Sequence, residues 1–248
     1  MRVKRFIIQG GDNYNYLVVS DKGKSAIAID PLDNDRLLSI AAEEDVSISH
    51  ILVTHGHADH TGGVKSLAKT TGAKVIGHKD IGCVTLSMNH KEKKACETIE
   101  IEALVTPGHT FDSICYLIDG ALYTGDTVFF SGAGNCNSGD ADALYESFST
   151  ILTKLPDATT LYVGHEYAQR NLEFAQSIET ENETVSSKLM HVKDEAMPLS
   201  TIGDEKEYNP FFRFLNEEYV EALETKLGRI INDPKEVFLI TRELRNRW

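Results

Sequence analysis

Short apolar runs that stop on a polar residue, alternating with helical stretches, set the tightest limit on what this chain can fold into. "SAIAID" ends at Asp30 and Pro31. "NDRLLSIAAEEDV" follows, with Leu37, Leu38, Ala41 and Ala42 on one face, and "HILVT" is apolar again. "VKSLAKTTG" is helical and closes on Gly72, and "AKVIGH" is the next strand. Runs bounded by turn residues read as strands, and apolar residues three and four apart read as helices. Strands and helices in alternation build an α/β domain. "FIIQGGDNYNYLVVS" adds two strands about a Gly-Asp-Asn turn, "EALVTPGHT" a strand running into a loop, and "SICYLID" with "ALYTGD" a hairpin about Asp119-Gly120.

From Gly139 the pattern changes. "DADALYESFSTILTKLP" carries Leu144, Phe148, Ile151, Leu152 and Leu155 at helical spacing, and "TTLYVGH" is the last clear strand. Beyond Tyr167 helical patterns remain, over 168–179, 182–196, 213–227 and 234–245, with "PLSTIGDEKEYNPFF" as one long loop. The expected division is an α/β domain over 1–165 and a smaller helical one over 166–248. No linker of Gly, Ser or Pro separates them, so they are expected to pack directly.

Composition narrows the function classes. With 41% hydrophobic and 25% charged residues the chain is that of an ordinary globular protein. No apolar stretch approaches the roughly 18 residues of a membrane span, and no signal-peptide pattern opens the chain, so no membrane partner and a cytoplasmic location are expected. A net charge of −13 disfavours nucleic acid, whose phosphates need a basic surface. Cys83, Cys96, Cys115 and Cys136 are widely spread and form no C-x-x-C pair, which points to reduced, packing thiols. Nothing demands an oligomer, and a monomer is expected.

The chemistry concentrates at strand ends. "VTHGHADHTGG" (53–63) puts His55, His57, Asp59 and His60 on one turn behind an apolar run, with Gly62 and Gly63 letting the backbone pass close behind. "TPGHT" places His109 after a strand, "YTGDT" places Asp126 after another, and "YVGHEY" places His165 after a third. Sites of α/β folds gather at such ends. Five histidines and two aspartates suffice for two metal ions if one carboxylate bridges them. Imidazole and carboxylate without sulfur suit zinc, iron or manganese. His50, His78, His90 and His191 lack this setting and read as surface or supporting groups.

The ordered motifs T-H-x-H-x-D-H, P-G-H-T, T-G-D-T and G-H-E-Y resemble those of the metallo-β-lactamase superfamily. With "GHEY" at 164–167, "YNPFFR" at 208–213 and the helical C-terminal part, the chain is similar along essentially its whole length to the glyoxalase II (hydroxyacylglutathione hydrolase) family. The resemblance implies a four-layer αβ/βα sandwich with a smaller all-helical C-terminal domain. It implies that His55, His57 and His109 hold one divalent ion, that Asp59, His60 and His165 hold the other, and that Asp126 bridges; Zn2+ is the expected ion, with Fe or Mn as alternatives. It also implies a glutathione thioester as partner, contacted by Tyr167, by Arg242 and Arg245 of "RELRNRW", and by the loop "GAGNCNSG". There Asn135 and Asn137 stand where many members carry a lysine and a tyrosine.

Two dications sharing a water would lower its pKa far below 15.7, a single zinc already taking it to about 7, and the hydroxide would attack the thioester carbonyl. Asp126 and Asp59 are then the carboxylates expected to act in catalysis, Asp59 as ligand or as base. A thiolate leaving group, with a pKa near 8.5, departs without a strong acid. Two other readings compete: a mononuclear iron persulfide dioxygenase, and a hydrolase using another thiol carrier.

Overall fold

The computed structural model describes residues 1–192 and 197–248. The N-terminal part forms a six-stranded sheet of β1 (Arg2–Ile7), β2 (Tyr14–Val19), β3 (Ser25–Ile29), β4 (Ser47–Leu52), β5 (Lys74–Gly77) and β6 (Leu86–Ser87), in chain order. The first three strands are antiparallel and the rest parallel. Parallel neighbours need a crossover. Here α1 (Asn34–Glu43) links β3 to β4, and the single turn α2 (Ala58–Thr61) with α3 (Val64–Thr71) links β4 to β5.

A second sheet contains β7 (Lys93–Cys96), β8 (Ile99–Val105), β9 (Ile114–Ile118) and β10 (Ala121–Gly125). The short pair β11 (Val128–Phe129) and β12 (Gly132–Ala133) stands apart from it, and α4 (Ala141–Thr150) leads to β13 (Thr160–Val163), which lies parallel to β10. The helical part follows as α5 (Ala168–Ile178), α6 (Glu183–His191), α7 (Ile202–Tyr208), α8 (Glu217–Leu227) and α9 (Pro234–Arg247).

Period two decides which face each side chain takes. Tyr14, Tyr16, Val18, Ile27 and Ile29 face the second sheet, meeting Ile101, Tyr116 and Ile118. Leu17, Val19, Ala26 and Ala28 point the other way and pack with Leu37 and Ala41 of α1 and Val64 and Leu67 of α3. β2 and β3 are thus buried on both faces, which is why Leu17–Val19 and Ala26–Ile29 read as continuous apolar runs, while the buried Asn15 of β2 donates to the Asp30 carbonyl. Leu144 and Phe148 of α4 share the first cluster with Phe174, Phe211, Tyr219 and Phe238 of the helical part, so one core runs through both parts.

The segment read as a long loop differs from expectation. Ser200–Thr201 forms β14, an edge strand antiparallel to β13, so the sheet order is β14-β13-β10-β9-β8-β7. A strand of two residues is too short to show alternation. Helix α7 starts beside it on a capping box between Thr201 and Asp204. The helix expected from 213 begins at Glu217 because Asn216 caps it, accepting from the Tyr219 amide at 2.9 Å. The helix expected over 182–196 is described as Glu183–His191, and its last four residues, 193–196, lie outside the described residues. No helix among the described residues is long and apolar enough to cross a membrane.

Candidate metal centre and adjoining pocket

Four chain segments that follow strands β4, β8, β10 and β13 meet at one end of the sandwich. Backbone bonds tie them: Ile114 N donates to Thr54 O (2.8 Å), Gly164 N to Gly125 O (2.8 Å) and Tyr14 N to Gly164 O (2.9 Å). His57 stands at the N-terminal boundary of α2 without a side-chain bond to it, so that one helical turn carries Asp59 and His60 while His55 stays on the segment before it. The close passage expected of the glycines is seen at Gly63, where a Cβ would lie 2.4 Å from the Pro31 carbonyl.

All seven expected donors converge, in two groups. His55, His57, His109 and Asp126 form one and Asp59, His60 and His165 the other, the ligand atoms in each lying within 4.8 Å of one another. His57 Nδ1 is 3.0 Å from both His55 Nε2 and His109 Nε2, and His60 Nε2 is 3.1 Å from His165 Nε2. Asp126 lies between the groups: Oδ1 is 3.2 Å from His60 Nε2 and 3.4 Å from His165 Nε2, while Oδ2 is 3.5 Å from His109 Nε2. Asp126 Oδ1 is buried and has no hydrogen-bond partner. A carboxylate oxygen left so costs several kcal/mol in general unless a cation or donor meets it, so the donor set fits divalent ions. His50 is buried within β4, His78 is half-buried and His90 and His191 are exposed; none belongs to either group.

The outward nitrogens of four rings are held. Nδ1 of His60 meets Asp30 Oδ2 at 2.8 Å, Nδ1 of His165 meets Asp12 Oδ1 at 2.9 Å, and Nδ1 of His109 meets the Asn135 carbonyl at 2.7 Å. Nδ1 of His55 lies 3.1 Å from Thr54 Oγ1, itself bonded to Asp30. An acceptor at Nδ1 places the proton there and turns the lone pair of Nε2 inward, the arrangement metal-ligating histidines use. Asp12 and Asp30 were not among the residues expected from sequence. Both end or leave an apolar run as the ligands do, but nothing in their pattern separates support from ligation.

The two halves differ electrostatically. Burial pushes His55 down to about 3 and lowers His109, so both are neutral. Burial also opposes charge on His60 and His165, but Asp126 with Asp30, and Asp126 with Asp12, outweigh it and raise both. Burial works against ionised Asp126 as well, yet His60 and His165 hold its carboxyl well below the ordinary range. The carboxylates of Asp126, Asp30 and Asp12 thus favour positive charge at the His60–His165 half, which is where a cation would be stabilised.

A pocket of about 300 Å³ opens beside the centre and brings together all five residues expected to contact substrate: Asn135, Asn137, Tyr167, Arg242 and Arg245. Phe129, Ala133, Arg170, Asn171 and Asn246 complete it, so its lining holds three arginines, four asparagines and no carboxylate. In a chain of charge −13 this is a local reversal of sign. Tyr167 stacks on His165 (centroids 5.0 Å apart) and Phe129 stands 6.0 Å from the same ring, joining pocket to centre. Arg245 is half-buried and donates to Asn171 Oδ1 at 3.1 Å, and Arg170 is exposed. Arg242 is turned inward: its Nη1 donates to the carbonyls of Ala133 and Gly134, both at 2.9 Å, and Nε to Asn246. Glu166 of the G-H-E-Y motif bonds the Tyr14 hydroxyl and accepts from the Ala168 amide, fixing the turn that carries His165 and Tyr167.

Comparison with known proteins gives the family. Residues 166–248 match the family model "Hydroxyacylglutathione hydrolase C-terminus", and residues 9–86 match that of the metallo-beta-lactamase superfamily. A hydroxyacylglutathione hydrolase of Polaromonas sp. is 38% identical, the match covering 95% of each chain. The chain belongs to the hydroxyacylglutathione hydrolase family. A probable member from Schizosaccharomyces pombe is 34% identical over 95% of this chain and 94% of its own. Among solved structures, ETHE1 from Myxococcus xanthus superposes with a TM-score of 0.72 at 27% identity, covering 99% of this chain and 98% of that one. The sandwich with a helical C-terminal part is thus the family's metallo-β-lactamase fold.

Proposed function

We propose that this protein hydrolyses S-(2-hydroxyacyl)glutathione thioesters, converting S-D-lactoylglutathione to D-lactate and glutathione, the second step of methylglyoxal detoxification. One observation carries the reading: two imidazole-carboxylate groups meet at an unpartnered Asp126 oxygen, directly beside a carboxylate-free pocket rich in arginine. Membership of the family over the whole chain supports it.

His55, His57 and His109 would hold one divalent ion and Asp59, His60 and His165 the other, with Asp126 shared; we take Zn2+ as the resident ion. When bound, the pair supplies Lewis-acid polarisation of the acyl oxygen and an acidified water as nucleophile. The chain's own residues do the rest. Arg245 and Arg170 present guanidinium groups to the carboxylates of the thiol carrier, where a planar donor fork binds bidentately. Phe129 and Tyr167 place apolar surface between that pocket and the centre, excluding water from the thioester. Burial raises the Tyr167 phenol far above its ordinary range, so it remains a neutral donor and not a proton source. The Asp59 side chain is about half exposed (48%), with Oδ2 held by Asn13 at 3.1 Å and 3.3 Å from His165 Nε2, where it can ligate or accept a proton. No group in the pocket lining serves as a strong acid, and a thiolate needs none.

The test is a thioester panel that varies thiol and acid separately, run with metal analysis. Turnover of S-D-lactoylglutathione with two ions per chain, abolished in Asp126→Asn and His57→Ala, is expected. Full turnover by either variant at normal metal content refutes the assignment. Oxygen uptake on glutathione persulfide with one iron per chain would replace it by the dioxygenase reading, and preference for a thioester without glutathione would replace the carrier.

A further inference from the structure

The helical part does more than form one wall of the pocket. Four of its side chains grip the five consecutive residues 130–134 that follow β11 and include β12. Asn171 of α5 donates to the Phe130 carbonyl (2.9 Å), and Glu205 of α7 accepts from the Ser131 amide (2.9 Å). Asn209, at the end of α7, donates to the Gly132 carbonyl (3.1 Å), and Arg242 of α9 donates to the carbonyls of Ala133 and Gly134. All four side chains are buried, Glu205 and Asn209 completely. The next carbonyl in the chain, that of Asn135, is the one that meets Nδ1 of His109. Between them, Gly134 runs so close to the centre that a Cβ would lie 2.0 Å from the Asp126 carbonyl and 2.9 Å from His109 Nδ1.

The loop needs such a grip. Ser131 is held at φ +53, a conformation few non-glycine residues adopt unaided, and β11 and β12 are two residues each. Glu205 is the hub: Oε1 accepts from Ser200 Oγ and Tyr208 Oη, and Oε2 from Asn209 Nδ2 and the Ser131 amide. Ionised, the carboxylate accepts from all four; protonated, it can turn its O–H towards the Ser200 or Tyr208 hydroxyl, either of which is able to accept.

We infer that Glu205 and Asn209 are positioning residues for the metal centre, acting through loop 130–135 to fix the His109 ring and hence the affinity of the His55–His57–His109 half. This rests on reading the cluster as metal ligands. Neither residue lines the substrate pocket, so their effect separates from substrate contact. Glu205→Gln keeps the shape and can present its oxygen to the Ser131 and Asn209 donors while its amide faces two hydroxyls able to accept. Glu205→Ala cannot, and Asn209→Ser removes the Nδ2 donor to the Gly132 carbonyl and Glu205 together with the Oδ1 acceptor of the Phe211 amide.

The experiment has two readouts on the whole protein. In metal-stripped protein, the NMR signal of the His109 Nδ1 proton reports the bond to the Asn135 carbonyl without any metal. In loaded protein, zinc content under a graded chelator reports affinity. Asn209→Ser and Glu205→Ala are expected to lose the protected His109 signal and to release one ion of two at about tenfold lower chelator, the low end of what losing a ligand's support costs. Glu205→Gln should keep both properties. An intact signal with unchanged zinc retention in a folded Asn209→Ser overturns the inference, as does release of both ions together. Failure of the parent protein to bind zinc, iron or manganese would instead defeat the metal-centre reading while leaving the His109 signal to test the linkage.

Discussion

Asp30→Asn probes the other half of the centre. Asp30 Oδ1 accepts from the Thr54 amide at 2.8 Å, and Oδ2 accepts from Thr54 Oγ1 at 2.6 Å and faces His60 Nδ1 at 2.8 Å. Its backbone is at φ +45, a region asparagine tolerates, so the substitution preserves shape and main chain. What changes is the sign of one hydrogen bond. The amide oxygen stays with the Thr54 N–H, the NH2 group takes the place of Oδ2, and His60 Nδ1 must now accept. Its proton moves to Nε2, onto the face 3.2 Å from Asp126 Oδ1 where a lone pair is required. Restoring that lone pair means giving up a hydrogen bond to a charged acceptor, about 1.5–3 kcal/mol. This agrees with the 10- to 100-fold losses of metal affinity, about 1.4–2.7 kcal/mol, that follow removal of a ligand's support. Metal content after dialysis against graded chelator should therefore fall from two ions to one at a concentration the parent withstands, and thioester hydrolysis should return when metal is added in excess. Unchanged retention of both ions refutes the tautomer argument, and activity that excess metal fails to restore assigns Asp30 a different role.

Three further perturbations follow from the geometry. Arg245→Met and Arg170→Met should each raise KM for S-D-lactoylglutathione about tenfold with kcat within about twofold, because they remove a charge contact made equally in ground and transition states; a thioester whose thiol carries no carboxylate should be unaffected, as steady-state kinetics on both substrates will show. Gly134→Ala pushes a methyl group against the Asp126 carbonyl and should cost on the order of 1–3 kcal/mol of unfolding free energy, measured by denaturant titration, together with faster metal loss. Burial raises Glu205 from its ordinary value to about 7, so the folded chain holds a proton there that the unfolded chain has released. Its contribution to stability is thus full below about pH 4.5 and falls as pH rises to about 7, by roughly 3 kcal/mol at most. Urea unfolding of stripped protein at about pH 5 and pH 8 should show this slope in the parent and lose it in Glu205→Gln.

What could be read from the sequence, and what could not, divides along a physical line. His55, His57, His60, His109 and His165 announce themselves because few residue types ligate metals and each follows an apolar strand, so type and position both point to one end of a sheet. The double-sided burial of β2 and β3 is likewise written in the apolar runs Leu17–Val19 and Ala26–Ile29. The groups that hold those rings in place are of another kind. Asp12 reaches His165 across 153 positions and Asp30 reaches His60 across 30, while Asn135 acts through a carbonyl that every residue possesses. Such roles are distances, and distances between remote segments appear only once the sheets are packed. Arg242 shows the same limit from the other side. Its letter declares a guanidinium, and its place in "RELRNRW" set it beside Arg245, three residues on. On α9 the two point into different surroundings: Arg242 is 4% exposed over the Phe211 ring with Nη1 on two loop carbonyls, whereas Arg245 is half-buried at the pocket wall. A guanidinium already committed to backbone carbonyls contributes positive potential to the pocket but has fewer N–H groups left for a carboxylate. The free fork at that wall is therefore more fully offered by Arg245 and by Arg170, one helix turn beyond the G-H-E-Y motif, than by the residue whose sequence position drew attention first.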